Sequence, residues 1–197
     1  MRCFISLWIV LAMMVCLIST PAFADEPQEV AGLLKNKIDS VLTVLENKDM
    51  PEAEKKKKIM AIVNPVIDFE LMAKLTLGKT NWARLSQAEQ EKFIELFVER
   101  LKASYLDKTT LYADQKVVYH PAVKKGNKIH VPVEVVTQEE TAEVLYKFYS
   151  AGSQWRVYDV EINGVSLIRS YRSQFDEILR NGTVADLFEE LKRAANE

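Results

Sequence analysis

At Lys116 the hydrophobic period of this chain changes from helical to two, and after Ile162 it changes back. Upstream, apolar residues recur every three or four positions; within 116–162 they alternate with polar ones. Such a division confines the chain to the α+β class, an antiparallel sheet with helices gathered before and after it. Four strands are expected, over 116–121, 128–137, 142–150 and 154–162, with turns at Gly126-Asn127, at Gln138 to Thr141 and at Ala151-Gly152-Ser153. Loops this short dictate a meander, and their lengths pair His120 with Val133, Val133 with Tyr146, and Tyr146 with Tyr158. On that register one face carries Val118, Val131, Val133, Val135, Val144, Tyr146, Phe148, Tyr158, Val160 and Ile162. The opposite face is mixed, with His130, Glu134, Lys147, Asp159 and Glu161 beside Val136, Leu145, Tyr149 and Trp155. Pro132, which has no amide hydrogen, predicts a bulge or an unpaired neighbour in the second strand.

Four helices are expected before the sheet. The first starts near Pro27, carries Val30, Leu33, Leu34, Ile38, Val41, Leu42 and Leu45, and ends near Asn47. Pro51 opens a second, which ends at about Val63 before Pro65. Asp68 is placed to cap a short third over Phe69, Met72, Leu75 and Leu77, closed by Gly78. Ser86-Gln87-Ala88-Glu89 is a capping box for a long fourth reaching about Leu111, with a buried stripe of Phe93, Phe97, Leu101 and Tyr105. After the sheet, Asn163-Gly164 makes a turn into a helix whose apolar face is Leu167, Ile168, Tyr171, Phe175, Ile178 and Leu179. Its polar face offers the i,i+4 pairs Arg172 with Asp176 and Asp176 with Arg180. Asn181-Gly182 stops it, and Thr183 caps a last helix.

Residues 1–24 stand apart from this pattern. Arg2, an apolar run from Phe4 to Ile18 broken only by Ser6, and Ala22-Phe23-Ala24 are the three parts of an export signal, cleaved before Asp25. The run is shorter than the roughly 20 apolar residues that a membrane span needs. Cleavage removes Cys3 and Cys16, both cysteines of the chain, and leaves 25–197 as a single domain without disulfides. At that length a domain buries roughly 70% of the surface its unfolded chain exposes, so a core alone suffices. The bacterial periplasm is the expected location, and a net charge of −2 leaves no basic excess for nucleic acid.

The usual catalytic constellations are missing from the sequence, which has no Gly-x-Ser-x-Gly elbow, glycine-rich phosphate loop or His-Glu-x-x-His. His120 and His130 fall on opposite faces of the expected sheet and cannot share a metal, so neither metal nor cofactor is expected. Asp159 and Glu161, two apart on one strand face, read as solvated charge. The run Lys55-Lys56-Lys57-Lys58, flanked by Glu52 and Glu54, reads as a solvated helix face. What remains is a surplus of apolar and aromatic surface between a sheet and its helices, where apolar ligands lodge.

Two runs of residues carry a resemblance. Asp68-Phe69, Met72, Leu77-Gly78, Trp82, Gln90, Phe93 and Phe97 make the first. The second is Trp155-Arg156-Val157-Tyr158-Asp159-Val160, Gly164-Val165-Ser166-Leu167 and Tyr171-Arg172-Ser173-Gln174-Phe175. Together they resemble the MlaC family, periplasmic phospholipid carriers also known as toluene-tolerance auxiliary proteins. The resemblance implies an NTF2-like α+β fold with acyl chains held between sheet and helices, and no enzymatic step. It also implies a monomer shuttling phospholipid between an outer-membrane lipoprotein complex and the substrate-binding subunit of an inner-membrane ABC transporter. On this reading the ligand is lined by Val131, Val133, Val135, Val144, Tyr146, Phe148, Tyr158, Val160 and Ile162 of the sheet. Phe93, Phe97, Leu101, Tyr105, Leu167, Tyr171 and Phe175 line it from the helices. A carrier of another apolar solute, such as a hopanoid, and a small NTF2-like enzyme remain as alternatives.

Overall fold

The computed structural model describes residues 26–106, 116–137 and 140–194. The expected export signal, both cysteines and the helical stretch expected beyond residue 106 lie outside the described residues. Six α-helices are described: α1 Glu26–Glu46, α2 Glu52–Val63, α3 Phe69–Arg84, α4 Gln87–Leu101, α5 Leu167–Asn181 and α6 Val184–Ala194. A π-helical turn, Lys102–Leu106, prolongs α4. The strands are β1 Lys116–Tyr119, β2 Val123–Lys125, β3 Lys128–Val136, β4 Thr141–Ala151, β5 Gln154–Ile162 and β6 Val165–Ser166. They form one antiparallel sheet in the order β1-β3-β4-β5-β6, with β2 also on β3, so the α+β class holds. None of the described helices is long and apolar enough to cross a membrane.

Helix starts follow local chemistry closely. The Asp68 carboxylate accepts from Leu71 N at 3.0 Å, and Ser86 and Glu89 satisfy each other's free amides as a capping box. Gly78 does not end α3 but kinks it. Its φ of 68° and ψ of 163° lie where only glycine is at ease, and helix resumes beyond it to Arg84. The Arg172 guanidinium of α5 fills the gap at the kink, donating to the Leu75 carbonyl, and Asp176 accepts from Asn81 Nδ2 at 2.9 Å. Arg172 and Asp176 thus tie α5 to α3 rather than pairing along their own helix as expected.

The pairing register differs from expectation at each seam. Between β1 and β3, Tyr119 rather than His120 faces Val133. The Gly126-Asn127 hairpin sets β2 as expected, but one extra residue in His120–Ala122, opposite Pro132, shifts β1 by one. Val117 and Tyr119 therefore share the face of Val133, while Val118 and His120 turn to the other, where His130 also lies. The bulge expected around Pro132 falls on its neighbour, and β3 runs unbroken. Val133 faces Val144 instead of Tyr146 because Thr137 closes the next loop one residue early, bonding to Glu140; a two-residue slip keeps the faces intact.

The third difference turns a side chain over. Tyr146 faces Val160, not Tyr158, through two one-residue shifts: the turn narrows to Gly152-Ser153, pairing Ala151 with Gln154, and the ladder shifts again between Lys147 and Phe148, leaving Tyr158 as the extra residue of a bulge. Val157 is swung inward and is almost fully buried, and Trp155 joins the same apolar cluster. Tyr158 goes outward, its ring 6.1 Å from that of Tyr149 and capped by Lys128 Nζ at 4.4 Å. The exposed edge of β5 at this point is covered by the chain entering α3, with Asp68 N bonded to Val157 O (2.9 Å) and Val157 N to Val66 O (2.8 Å).

Two apolar clusters result. One joins α3, α4, α5 and α6 around Met72, Leu77, Phe93, Phe97, Tyr171, Phe175, Leu187 and Leu191. The other lies between α1 and the inner sheet face, around Val30, Leu34, Ile129, Val131, Val133, Phe148 and Val157.

Candidate functional site

A cavity of about 380 Å³ separates the inner sheet face from α1, α2 and the end of α4. The sheet supplies Val117, Val133, Val135, Val144, Tyr146, Val157, Val160 and Ile162, which the alternation of β-strands places in one apolar field. Leu34, Ile38, Val41, Leu42 and Leu45 of α1 and Ile59, Met60 and Val63 of α2 face them. Val66, Ile67, Phe69, Met72 and Leu167 close one side, and Leu101, Lys102 and Tyr105 another. Lys37 and Lys102 are the charged members of this lining.

The hydroxyl groups that reach this space are kept neutral. Burial pushes the Tyr146 phenol up; outside the lining, burial together with the Asp39 carboxylate does the same to Tyr119, whose hydroxyl donates to Asp39. Tyr105, 38% exposed, is pushed up to about 12, by burial first and then by the Tyr171 hydroxyl. An apolar chamber with neutral phenols and two ammonium groups suits a hydrocarbon with a polar end better than it suits bond-making chemistry.

Of the sequence-based lining residues, Leu101, Tyr105, Val133, Val135, Val144, Tyr146, Val160, Ile162 and Leu167 surround the cavity. Val131 and Phe148 are on the right face but are sealed beneath it, packed in one cluster with Val30 and Leu34 of α1. Tyr158 is a correction, turned to the outer face by the bulge. Phe93, Phe97, Tyr171 and Phe175 are a second correction. They form an aromatic box inside the helical cluster, with Phe93–Phe175 at 5.6 Å and Phe97–Tyr171 at 5.4 Å, both edge to face. Phe93 and Phe97 are at 0% exposure, Phe175 at 2% and Tyr171 at 6%, and none of the four lines the cavity. Sequence reading missed the α1 and α2 wall, although the α1 stripe of Leu34, Ile38, Val41, Leu42 and Leu45 was visible; periodicity marks a buried stripe without naming what covers it.

The outer sheet face corrects another expectation. Asp159 is 5% exposed and engaged, accepting from Lys147 Nζ (3.0 Å), Ser166 Oγ (2.8 Å) and Ile168 N (3.2 Å). Lys147 also reaches Glu161 at 2.6 Å. Burial by itself would lower the Lys147 pKa, but the Glu161 and Asp159 carboxylates reverse that and hold it above its ordinary value. This network anchors the start of α5. His120 Nε2 lies 2.8 Å from Glu134 on the same face, beside a smaller depression of about 210 Å³. His130 is pushed below its ordinary value, chiefly by burial and then by Lys147. Among the described residues no group of three or more His, Cys, Asp or Glu is arranged to hold a metal.

Several residues of the resemblance do framework work. Asp68, besides capping α3, takes Arg156 (3.1 Å) and the Tyr149 hydroxyl, tying that helix to β4 and β5. Gln90 Nε2 donates to the carbonyls of Trp82 (3.1 Å) and Leu85 (3.2 Å), holding the α3–α4 corner.

Comparisons with known proteins agree on one family. The family model described as "MlaC protein" matches residues 35–193. The "Intermembrane phospholipid transport system binding protein MlaC" of Haemophilus influenzae is 25% identical over 140 residues, which are 68% of this chain and 64% of that protein. The "Toluene tolerance protein ttg2D" of Pseudomonas putida is 28% identical over 129 residues, 64% of this chain and 60% of that one. The matches thus span less than two thirds of the length of these curated relatives. A solved structure of a phospholipid-binding protein from Ralstonia solanacearum, in complex with a phospholipid, superposes with a TM-score of 0.74 at 22% identity. The match covers 84% of this chain and 96% of that one, so the two share a fold.

Proposed function

The chain belongs to the MlaC family, and from that premise we propose that it is a periplasmic carrier holding phospholipid acyl chains in the cavity between β3–β5 and the α1–α2 pair. The observation that carries this reading is the lining itself, apolar and tyrosine side chains interrupted by two lysines. A diacyl lipid exposes about 30 methylenes at about 0.8 kcal/mol each, so crossing water unaided costs on the order of 20 kcal/mol. A cavity that replaces the bilayer as solvent removes most of that barrier. The exchange is then close to balanced, and direction comes from the donor and acceptor. An inner-membrane ABC transporter and an outer-membrane lipoprotein complex are the proposed partners, with residues 1–24 removed on export.

We read the protein as a carrier without catalysis. The groups fit for proton transfer, His120, Glu134, Asp159 and Glu161, lie on the sheet face away from the cavity, and Asp159 is committed to Lys147 and α5. Mass spectrometry of material extracted from natively purified protein tests the proposal. A phospholipid mass supports it; a hopanoid or aromatic mass points to the rival carrier, and an empty protein that takes up no lipid from vesicles contradicts it.

A further inference from the structure

Lys37 interrupts the stripe of α1 that faces the cavity, between Leu34 and Val41 and beside Ile38. Neighbouring lysines are paired with carboxylates: Lys35 with Asp39 (2.6 Å), Lys55 with Glu52 (3.3 Å), Lys58 with Glu54 (2.9 Å). Lys102, the other lysine of the lining, is held by Glu99 at 2.7 Å. Lys37 is half-buried, lines the cavity, and has no carboxylate among the described residues. An ammonium in such a place is well solvated only while water fills the space beside it. Once hydrocarbon displaces that water, the charge needs a partner.

We propose that Lys37 is the anion-binding residue of the cavity, pairing with the phosphate of the bound lipid and so fixing the end at which the headgroup lies. This rests on the carrier reading and deepens it. A phosphate joined to the glycerol sits within a few bonds of the acyl chains, so a cation without a carboxylate partner on a largely apolar lining meets it when the chains are inserted. Charge-assisted contacts of this kind are short and about twice as strong as neutral ones. The competing role for Lys37 is that its methylenes merely cover apolar surface while the ammonium stays in water.

The two roles separate under substitution. Delipidated wild type, Lys37→Met and Lys37→Arg are titrated with a pyrene-tailed phosphatidylglycerol and with a diacylglycerol bearing the same tails but no phosphate. The proposal expects Lys37→Met to bind phosphatidylglycerol about tenfold more weakly, the loss of one charged contact, with the deficit shrinking as salt is raised. Diacylglycerol binding stays at the wild-type level, and Lys37→Arg restores phosphatidylglycerol. Equal phosphatidylglycerol binding by wild type and Lys37→Met overturns the proposal, as does equal weakening for both lipids, which marks a packing role. If wild type binds neither lipid, the carrier reading itself fails, and this assignment with it.

Discussion

The Arg172 side chain crosses from α5 to α3 and donates from Nε to the carbonyl of Leu75, 3.0 Å away, at the kink that Gly78 introduces. The arrangement couples a backbone conformation open to glycine with a cation that satisfies the carbonyl freed by the break. Gly78→Ala is expected to cost about 1–3 kcal/mol, since its φ of 68° and ψ of 163° are strained for any other residue. Arg172→Ala is expected to cost about 1–2 kcal/mol through the lost charged hydrogen bonds. Urea unfolding of the two variants measures both; a Gly78→Ala midpoint equal to wild type contradicts the account of the kink.

Stability and ligand capacity separate in space. Phe97→Ala opens a hole in the aromatic box and is expected to destabilise the fold by about 3–5 kcal/mol while leaving the cavity lining untouched. Val160→Phe places bulk in the cavity, lowers lipid uptake severalfold and changes the melting temperature little. Thermal melts and vesicle uptake on the same preparations show whether the two effects divide this way.

A charge on the sheet wall tests the cavity differently. Val144→Asp puts a carboxylate without a partner among Val133, Val160 and Ile162, which an acyl chain cannot solvate. The variant is expected to fold, because an empty cavity admits water, and to carry no lipid by native mass spectrometry. Lipid retained at wild-type occupancy places the chains elsewhere.

Alkaline pH probes the Lys147 network. Its folded pKa lies above the ordinary value of 10.5, so its contribution is complete below about pH 10.5 and is lost as pH rises through the raised value. The raised Tyr146 and Tyr119 phenols act in the same direction, since charging them in place is costly. Melting temperature is therefore expected to fall with rising pH above about pH 10, and less steeply in Lys147→Met. A Lys147→Met protein with the wild-type alkaline slope removes this network from the account.

The alternation of β3–β5 and the stripes of the helices were legible in the sequence because each follows from a backbone period. Registers were not. One extra residue at His120–Ala122 and another at Tyr158 exchanged the faces of Val118, His120 and Tyr158, and nothing in a loop length announces a bulge inside a strand. The aromatic residues misled for a different reason. Phe93, Phe97, Tyr171 and Phe175 form apolar stripes on two helices, and a stripe facing another helix reads the same as one facing a cavity. Conversely, the α1 stripe was visible, but its place over the sheet depends on long-range ties such as Tyr119 Oη to Asp39 (2.8 Å) and Lys124 to Glu26 (2.5 Å).

The central claim is where the acyl chains lie, and methyl NMR with a spin-labelled chain locates them directly. Loading the protein with a phospholipid nitroxide-labelled in mid-chain is predicted to broaden the methyl signals of Val133, Val144, Val160 and Ile162, while those of Val123 and Leu187, away from the cavity, stay sharp. Broadening confined to Val123 or Leu187, with the four cavity signals unchanged, would contradict the account.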